Sequence, residues 1–230
     1  MNEFFLNSTY AGVMLSLATY FLGVFLKKKL NKGFINPLLI SIILCIAVLL
    51  LGHVSYEAYY QSAKVISWFL TPATVCLAIP LYEQLPMLKK HWRAVLLGLA
   101  AGVVTSLTTV WVLSLLCGLD HASYVTLLPK SITTAIGLGV SEELGGYPTI
   151  TAAVIIITGV LGNIFGEIIC RVARIREPVS RGLAIGCASH AIGTGKAMEM
   201  GEVEGAMSGL AIAVSGLLTV VLASLYARLL

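Results

Sequence analysis

Two short segments of the sequence carry the polar side chains best suited to chemistry in an apolar environment. They read TTAIGLGVSEELGG at 133–146 and SHAIGTGKAMEMGE at 189–202, are offset by 56 residues, and agree at six of fourteen positions. The identical pairs are Ala135/Ala191, Ile136/Ile192, Gly137/Gly193, Gly139/Gly195, Glu143/Glu199 and Gly145/Gly201. Chance would give about one or two matches in a chain so rich in glycine and alanine. We therefore interpret the segments as two copies of an internal repeat.

The polar residues in and beside the two copies suit the binding of a small organic anion. The candidate substrate-binding residues are Lys130, Thr133, Thr134, Ser189, His190, Thr194 and Lys196. Free N–H groups at the start of a helix carry partial positive charge, which favours a carboxylate, and hydroxyl and ammonium groups add further donors. Candidates for carrying a coupled proton are His190, because imidazole titrates near neutral pH, and the matched pair Glu143 and Glu199.

Each of these residues also has a structural interpretation that the sequence leaves open. Hydroxyl groups can cap or bond back to their own helix, and a membrane histidine can hydrogen-bond a neighbouring helix. Lys196 can pair with Glu199 at i+3, and Lys130 can extend to the outer interface. Glu167 and Arg171, four residues apart, are expected to form an ion pair near the cytoplasmic face. Paired glycine-rich segments can also serve close helix packing alone.

The composition places these segments in a lipid bilayer. Of 230 residues, 58% are hydrophobic and 11% are charged, whereas soluble proteins carry about 25% charged residues. These values exclude disordered, disulfide-rich and nucleic-acid-binding classes. Apolar runs of membrane-spanning length occur at 5–26, 37–53, 64–82, 94–117, 149–170 and 206–228. The sequence therefore predicts an all-α polytopic membrane protein with about six transmembrane helices.

Basic residues predict how the chain is oriented in the membrane. Eleven of the fifteen Lys and Arg residues lie in three connections, at 27–32, 89–93 and 171–181. Because short basic loops stay cytoplasmic, these three connections are expected inside and both termini outside. The expected location is the cell inner (plasma) membrane, with several crossings.

The first copy of the repeat does not fit as a membrane span. An even number of crossings must separate the second and third basic loops, yet three candidates lie there: 94–117, 129–146 and 149–170. The middle one contains Lys130 and several glycines, and is bracketed by Pro129 and Pro148. We predict that it is a re-entrant or broken helix.

A single crossing separates the two copies, so we predict an inverted pair of re-entrant segments that meet near the midplane. Such pairs point to the binding site of a transporter. The predicted organisation is an N-terminal three-helix membrane scaffold at 1–93 and a C-terminal transport core at 94–230. The core contains the inverted repeats 129–170 and 185–228.

Two longer strings carry a family resemblance. PKSITT at 129–134 and RGLAIGCASHAIGTGKAMEMGEVEGA at 181–206 resemble the LrgB/CidB family of antiholin-like membrane proteins, which includes the plastid glycolate/glycerate translocator. The likeness is strong over about 94–228 and elsewhere extends only to hydrophobic spans. Ala135 stands where many members have proline. Gly195-Lys196 replaces what is often Ala-Arg, and lysine lacks the bidentate fork of arginine.

The resemblance implies a transporter of small monocarboxylates such as pyruvate, glycolate or glycerate, acting with a small LrgA/CidA-type membrane protein. We expect proton coupling, because the chain contains no GxxxxGK[ST] motif for nucleotide binding. The alternative is a holin/antiholin-like regulator of murein hydrolase activity and cell lysis. An enzyme is disfavoured, since HExxH and GxSxG motifs are absent from the sequence. We expect a homo-oligomer, with no cofactor, metal ion or nucleic acid bound.

Overall fold

The computed structural model describes residues 2–30, 37–69, 72, 76, 82 and 85–230, and the regular elements in these ranges are helical. The α-helices are α1 (Asn2–Asn7), α2 (Ala11–Leu30), α3 (Pro37–Leu51), α4 (Tyr56–Trp68), α5 (Leu85–Cys117), α6 (His121–Leu127), α7 (Thr134–Glu143), α8 (Pro148–Val172), α9 (Pro178–Met200) and α10 (Glu202–Tyr226). A final 3-10 turn covers Ala227–Leu229. The all-α polytopic membrane fold predicted from the sequence is confirmed.

Four helical stretches in the described residues are long and apolar enough to cross a membrane: Ala11–Leu30, Trp92–Cys117, Pro148–Val172 and Glu202–Leu229. The last three coincide with predicted spans. The predicted first span, 5–26, is displaced, because the chain leaves the helical conformation between α1 and α2. The predicted second span corresponds to α3, an apolar helix of 15 residues.

The predicted third span, 64–82, falls largely on 70–71, 73–75 and 77–81, which lie outside the described residues. Its first residues belong to α4. Lys32, in the first basic loop, also lies outside the described residues.

The N-terminal compact unit, Met1–Cys76, is built on close approaches between small residues. The backbone N–H of Gly12 in α2 donates to Ser62 Oγ in α4 at 3.0 Å. A Cβ on Gly12 would lie 2.7 Å from that same oxygen, so glycine is required for α2 and α4 to pack this closely. The Thr19 and Ser41 hydroxyls, 3.0 Å apart, join α2 to α3.

The C-terminal compact unit, Leu77–Leu230, begins before the predicted domain boundary at 93/94. The physical reason is that residues 85–93 and 94–117 form one continuous helix, α5. Inside this unit the fully buried Tyr124 of α6 packs in a cluster with Leu107 of α5 and Ala223 of α10. Its hydroxyl donates to the Tyr226 carbonyl oxygen at 2.8 Å, which ties α6 to the end of α10.

The first copy of the repeat is the second arm of a helical hairpin. We name the segment 121–143 the first hairpin: α6 leads in, 128–133 forms the tip, and α7 leads out. The Thr151 hydroxyl of α8 donates to the Thr126 carbonyl oxygen at 3.0 Å and lies 2.7 Å from Ser141 Oγ, so the two arms lie side by side at this level. Nearer the tip, Gly137 packs against Pro129, which shows that the arms run in opposite directions.

The second copy belongs to a second hairpin, which is formed by α9. Its helix is interrupted at His190, whose φ of 42° and ψ of −143° lie outside the helical region. The arm before His190 runs in the same direction as α10, and the arm after it runs in the opposite direction. Four close pairs between α9 and α10 define these directions: Gly182–Met207 and Gly186–Ala211 for the first arm, Met198–Gly205 and Thr194–Ser208 for the second. The predicted broken helix is therefore present, and its break lies at His190.

Candidate functional site

The two hairpins approach the middle of α8 from its opposite ends. The first packs along the N-terminal half of α8, where the Ile155 side chain lies against Gly137. The second packs along the C-terminal half, with Ile185 against Gly166 and its tip residue His190 against Gly159. Both hairpins thus reach Ile155, one through its side chain and the other through its carbonyl oxygen. This is the inverted arrangement that the repeat predicts.

His190 is anchored to α8. Its Nε2 lies 2.9 Å from the Ile155 carbonyl oxygen, and because a carbonyl only accepts hydrogen bonds, Nε2 carries the hydrogen and donates it. The side chain is buried, and a Cβ on Gly159 would lie 2.7 Å from His190 Cε1. This geometry matches the structural interpretation of a membrane histidine that bonds a neighbouring helix.

Ser189 and Thr194 lie beside His190 and are also buried in helix contacts. Ser189 Oγ occupies the space that a Cβ would need on Gly162 of α8. The Thr194 hydroxyl donates to the His190 carbonyl oxygen at 2.9 Å and lies 2.7 Å from Ser208 Oγ on α10. These two candidate residues therefore hold the second hairpin between α8 and α10.

Lys130, at the tip of the first hairpin, lies in the wall of a cavity of about 530 Å³. This volume is within the range of about 300–1,000 Å³ typical of small-molecule sites. Lys130 Nζ donates to Ser131 Oγ at 2.9 Å and to Ser106 Oγ at 3.2 Å. Ser106 and the neighbouring Thr105 are near the middle of the membrane-spanning stretch Trp92–Cys117, so the ammonium group is placed at membrane depth.

The cavity lies where the two hairpins meet α5. The first hairpin contributes Lys130 and Ser131, and the leading arm of the second contributes Ser180, Leu183, Ala184, Cys187 and Ala188. Ser131 and Cys187 are equivalent positions of the repeat, since they are also offset by 56 residues. The α5 face completes the wall with Ala94, Gly98, Leu99, Gly102, Thr105, Ser106 and Thr109. The site is therefore shared between the two copies.

Lys196 is placed away from this cavity and has ion-pair partners. Its Nζ lies 3.0 Å from Glu167 Oε2 and 3.4 Å from Glu199 Oε2. Glu167 also pairs with Arg171, as the sequence predicts, with 3.1 Å between its Oε1 and the arginine Nη2. The structure thus matches the pairing interpretation of Lys196 and adds Glu167 from α8 as its closer partner.

The remaining candidate residues do not line the cavity. Thr133 and Thr134 are half-buried at the start of α7, and Thr133 occupies the cap position without a side-chain cap hydrogen bond. Glu143 and Glu199 are exposed, each near the end of its hairpin's second arm. Of the nine candidates, Lys130 alone is among the described residues that line this cavity.

Sequence reasoning missed the hydroxyl groups that face Lys130. Thr105, Ser106 and Thr109 belong to the run VVTSLTTVWV, where several hydroxyl side chains interrupt an otherwise apolar span. Such a run in the middle of a transmembrane helix is itself a signal, because polar groups at membrane depth face protein or a cavity. Cys187 also belongs to this wall, and its place there follows from the fold of the second hairpin.

Together, the fold and the cavity define a class: an all-α polytopic membrane protein with two inverted hairpins beside a cavity that contains Lys130. The chain belongs to the LrgB-like family, whose model matches residues 16–229. It is 39% identical over 219 residues to Antiholin-like protein LrgB of Bacillus mycoides (strain KBAB4), a match that covers 94% of this chain and 95% of the relative. The proteins of the same name from Bacillus cereus (strain B4264) and Bacillus anthracis (strain CDC 684 / NRRL 3495) match with the same identity and coverage. No solved structure matches the chain.

Proposed function

We propose that this protein is a secondary transporter that carries small monocarboxylate anions, of the size of pyruvate, glycolate or glycerate, through the Lys130 cavity. The observation that carries the proposal is the amine of Lys130, which can carry a positive charge, at membrane depth in a cavity shared by two inverted hairpins. A charge in the membrane interior is costly, and it marks a substrate or ion pathway. The positive charge of protonated Lys130 favours an anion as the substrate.

The helices at the two tips support anion binding. Helix α7 begins at Thr134, and the second arm of α9 begins after His190, so both start at a hairpin tip. The positive ends of these helix dipoles point toward the membrane interior, as in transporters whose broken helices bind anionic substrates. The hydroxyls of Ser106 and Ser131 supply further donors once a carboxylate occupies the cavity.

A holin/antiholin-like regulator of murein hydrolase activity and cell lysis is the second candidate function. The Bacillus relatives are named antiholin-like proteins, and these names favour this role more directly than they favour monocarboxylate transport. The Lys130 cavity favours transport, since a regulator that acts through partners alone has no need of a cation inside the membrane.

Orientation and partners form part of the same proposal. We propose that the protein lies in the cell inner membrane with its N-terminus outside. The basic connections at 27–32, 89–93 and 171–181 then face the cytoplasm. We further propose that the chain forms homo-oligomers and acts with a small LrgA/CidA-type membrane protein.

The test is uptake of labelled pyruvate, glycolate and glycerate into liposomes that contain the purified protein, with and without a pH gradient. Lys130→Gln removes the charge and is expected to abolish substrate-dependent flux. Lys64→Gln, which changes an exposed lysine of the N-terminal unit, is the matched control and is expected to retain it. If the wild-type protein shows no flux, with or without an LrgA-type partner, the transport proposal fails.

Cell lysis assays separate the second candidate from the first. Murein hydrolase activity and lysis are measured in cells that express either the wild-type protein or the Lys130→Gln variant. A regulator that acts only through its partners should be unaffected by the change, provided that the variant reaches the membrane in equal amount. Loss of flux together with retained regulation would assign two separable activities to the chain.

A further inference from the structure

Lys130 has hydroxyl partners and no acidic partner within the part of the chain that the structure describes. Its Nζ contacts Ser131 Oγ at 2.9 Å and Ser106 Oγ at 3.2 Å, and these two oxygens are 3.4 Å apart. The described ion pairs involve Lys196, Glu167, Arg171 and Glu199, not Lys130. Among the described residues of the cavity wall there is no Asp, Glu, His or Arg, and Cys187 is the one titratable residue there besides Lys130.

Hydroxyl partners suit both protonation states of an amine. A serine hydroxyl can accept a hydrogen bond from an ammonium group, and it can also donate one to the lone pair of a neutral amine. A carboxylate partner would instead favour the charged form permanently. The surroundings of Lys130 therefore allow the amine to gain and lose a proton without leaving a polar group unpaired.

A bound anion determines whether the protonated or the neutral form of the Lys130 amine is more stable in the cavity. An isolated charge taken out of water carries a large solvation penalty, whereas an ammonium paired with a carboxylate offsets much of it. Binding of the carboxylate therefore favours uptake of a proton by the amine, and loss of the carboxylate favours its release. By linkage, each of the two ligands then increases the affinity for the other.

The residues that the sequence suggests as proton carriers lie outside the cavity, and two of them contact other groups. His190 donates to the Ile155 carbonyl oxygen, and its ring packs against Gly159. Glu199 is exposed and pairs with Lys196, and Glu143 is exposed near the end of α7. None of these three residues lines the cavity.

We propose that Lys130 is the coupling group of the transporter and binds the proton and the substrate anion together. This inference rests on the proposed transport function and identifies how that function is coupled. The neutral amine takes one proton to become an ammonium group, which pairs with one carboxylate; both leave on the other side of the membrane. The loaded and the empty cavity then carry the same net charge, so neither crossing moves charge across the bilayer.

Lys130→Arg tests the proposal, because a guanidinium group remains protonated at every pH of the experiment. In liposomes, the wild-type protein is expected to concentrate labelled pyruvate about tenfold for each unit of pH gradient, since one proton accompanies each anion. The arginine variant is expected to retain exchange of labelled for unlabelled pyruvate but to lose concentration driven by the pH gradient. Lys64→Arg is the matched control and should behave like the wild-type protein.

A second measurement does not depend on any variant. Pyruvate is added to the wild-type protein in detergent with little buffer, and a pH indicator reports whether protons are taken up as the anion binds. Uptake of about one proton per bound anion is expected, in line with the linkage between the two ligands. Anion binding without proton uptake would overturn the proposal.

The outcomes also distinguish this inference from the function on which it rests. Absence of both exchange and net uptake in the wild-type protein would remove the transport function itself. Exchange and net uptake that remain equally coupled to pH in Lys130→Arg would leave the transport function standing and overturn Lys130 as the coupling group. If Lys130→Arg retains exchange but loses uptake driven by the pH gradient, and Lys64→Arg loses neither, the result supports both the transport function and Lys130 as the coupling group.

Discussion

The Nε2 atom of His190 lies 2.9 Å from the main-chain oxygen of Ile155, and this contact fixes the tip of the second hairpin to the middle of α8. The backbone of His190, at φ 42° and ψ −143°, has a conformation that costs a non-glycine residue on the order of 1–3 kcal/mol. Such a conformation persists only where the surroundings impose it. Here the ring contact on one side and the Thr194 hydroxyl on the other provide that constraint.

We predict that His190→Ala lowers the free energy of unfolding by about 2–4 kcal/mol, because a buried ring and its hydrogen bond are lost. His190→Gly should be less destabilising than His190→Ala, since glycine adopts a positive φ without steric cost. Chemical denaturation in detergent measures both values.

His121, exposed at the start of α6, provides the control for the His190 variants. At that position we expect little change on substitution by alanine, and glycine should be no better than alanine. A His190→Ala variant more stable than His190→Gly would show that backbone strain at the tip is unimportant.

Gly162 and Ser189 form a pair whose substitutions should compensate for each other. A Cβ on Gly162 would overlap the Ser189 side chain, so Gly162→Ala is expected to destabilise the protein by about 1–3 kcal/mol. Adding Ser189→Gly to it removes the overlapping atoms and should recover most of the loss, which a double-mutant cycle detects. Gly139→Ala is the control, because a Cβ there meets no atom within 4 Å. Equal effects of Gly162→Ala in both backgrounds would contradict the predicted packing.

The sequence was sufficient to predict the main features of the C-terminal half. Spans at 94–117, 149–170 and 206–228 follow from apolar runs of sufficient length, and they coincide with helices in the structure. A broken helix in the second copy is predicted by the repeat, because the first copy is rich in glycine and bracketed by prolines and so makes a poor span. The structure places that break at His190. The leading arm of the first hairpin, at 121–127, and the start of the second, at 178–184, lie outside the predicted inverted repeats 129–170 and 185–228, because the recognisable similarity between the copies begins only at 133 and 189.

Side-chain partners could not be predicted in the same way. Sequence spacing indicates that Lys196 and Glu199 share a helix face, but Glu167, the closer partner, belongs to a different helix. The partner of His190 could not be predicted either. It is a main-chain oxygen of α8, and every residue has such an oxygen whatever its side chain. The hydroxyls around Lys130 come from α5 and the hairpin tip, which only the fold brings together.

Lys196 and Glu167 are predicted to stabilise the packing of α9 on α8 rather than to bind substrate. Because the pair is partly exposed, a double-mutant cycle with Lys196→Gln and Glu167→Gln should give a coupling energy of about 0.5–1 kcal/mol that decreases at high salt. The apparent affinity for pyruvate in Lys196→Gln should remain within about twofold of wild type, a difference well under the 1.4 kcal/mol that a factor of ten represents. A severe loss of affinity in a stably folded Lys196→Gln variant would instead assign Lys196 to the substrate site.

The proposed orientation predicts opposite accessibility for two positions in the N-terminal unit. Single cysteines that replace Lys28, at the end of α2, and Gln61, in α4, are introduced into a cysteine-free protein. A membrane-impermeant maleimide added to intact cells should label the cysteine at 61. The cysteine at 28 should react only after the membrane is permeabilised. Labelling of both from the same side would contradict the assignment of basic loops to the cytoplasm. The control is a cysteine at Lys89, which should behave like the one at 28.

Cys187 provides a natural reporter of the cavity, because it lines the same wall as Lys130. In a variant whose four other cysteines are replaced by alanine, a negatively charged methanethiosulfonate should modify Cys187 faster than a positively charged one of similar size, since only the anion can pair with the protonated amine of Lys130. Lys130→Gln should remove this preference, whereas Lys64→Gln should preserve it. Pyruvate should slow the modification at concentrations that saturate transport, because the anion and the reagent compete for the same space. Mass spectrometry of the intact protein follows the reaction. Modification that is independent of reagent charge and of pyruvate would show that the substrate does not enter this cavity.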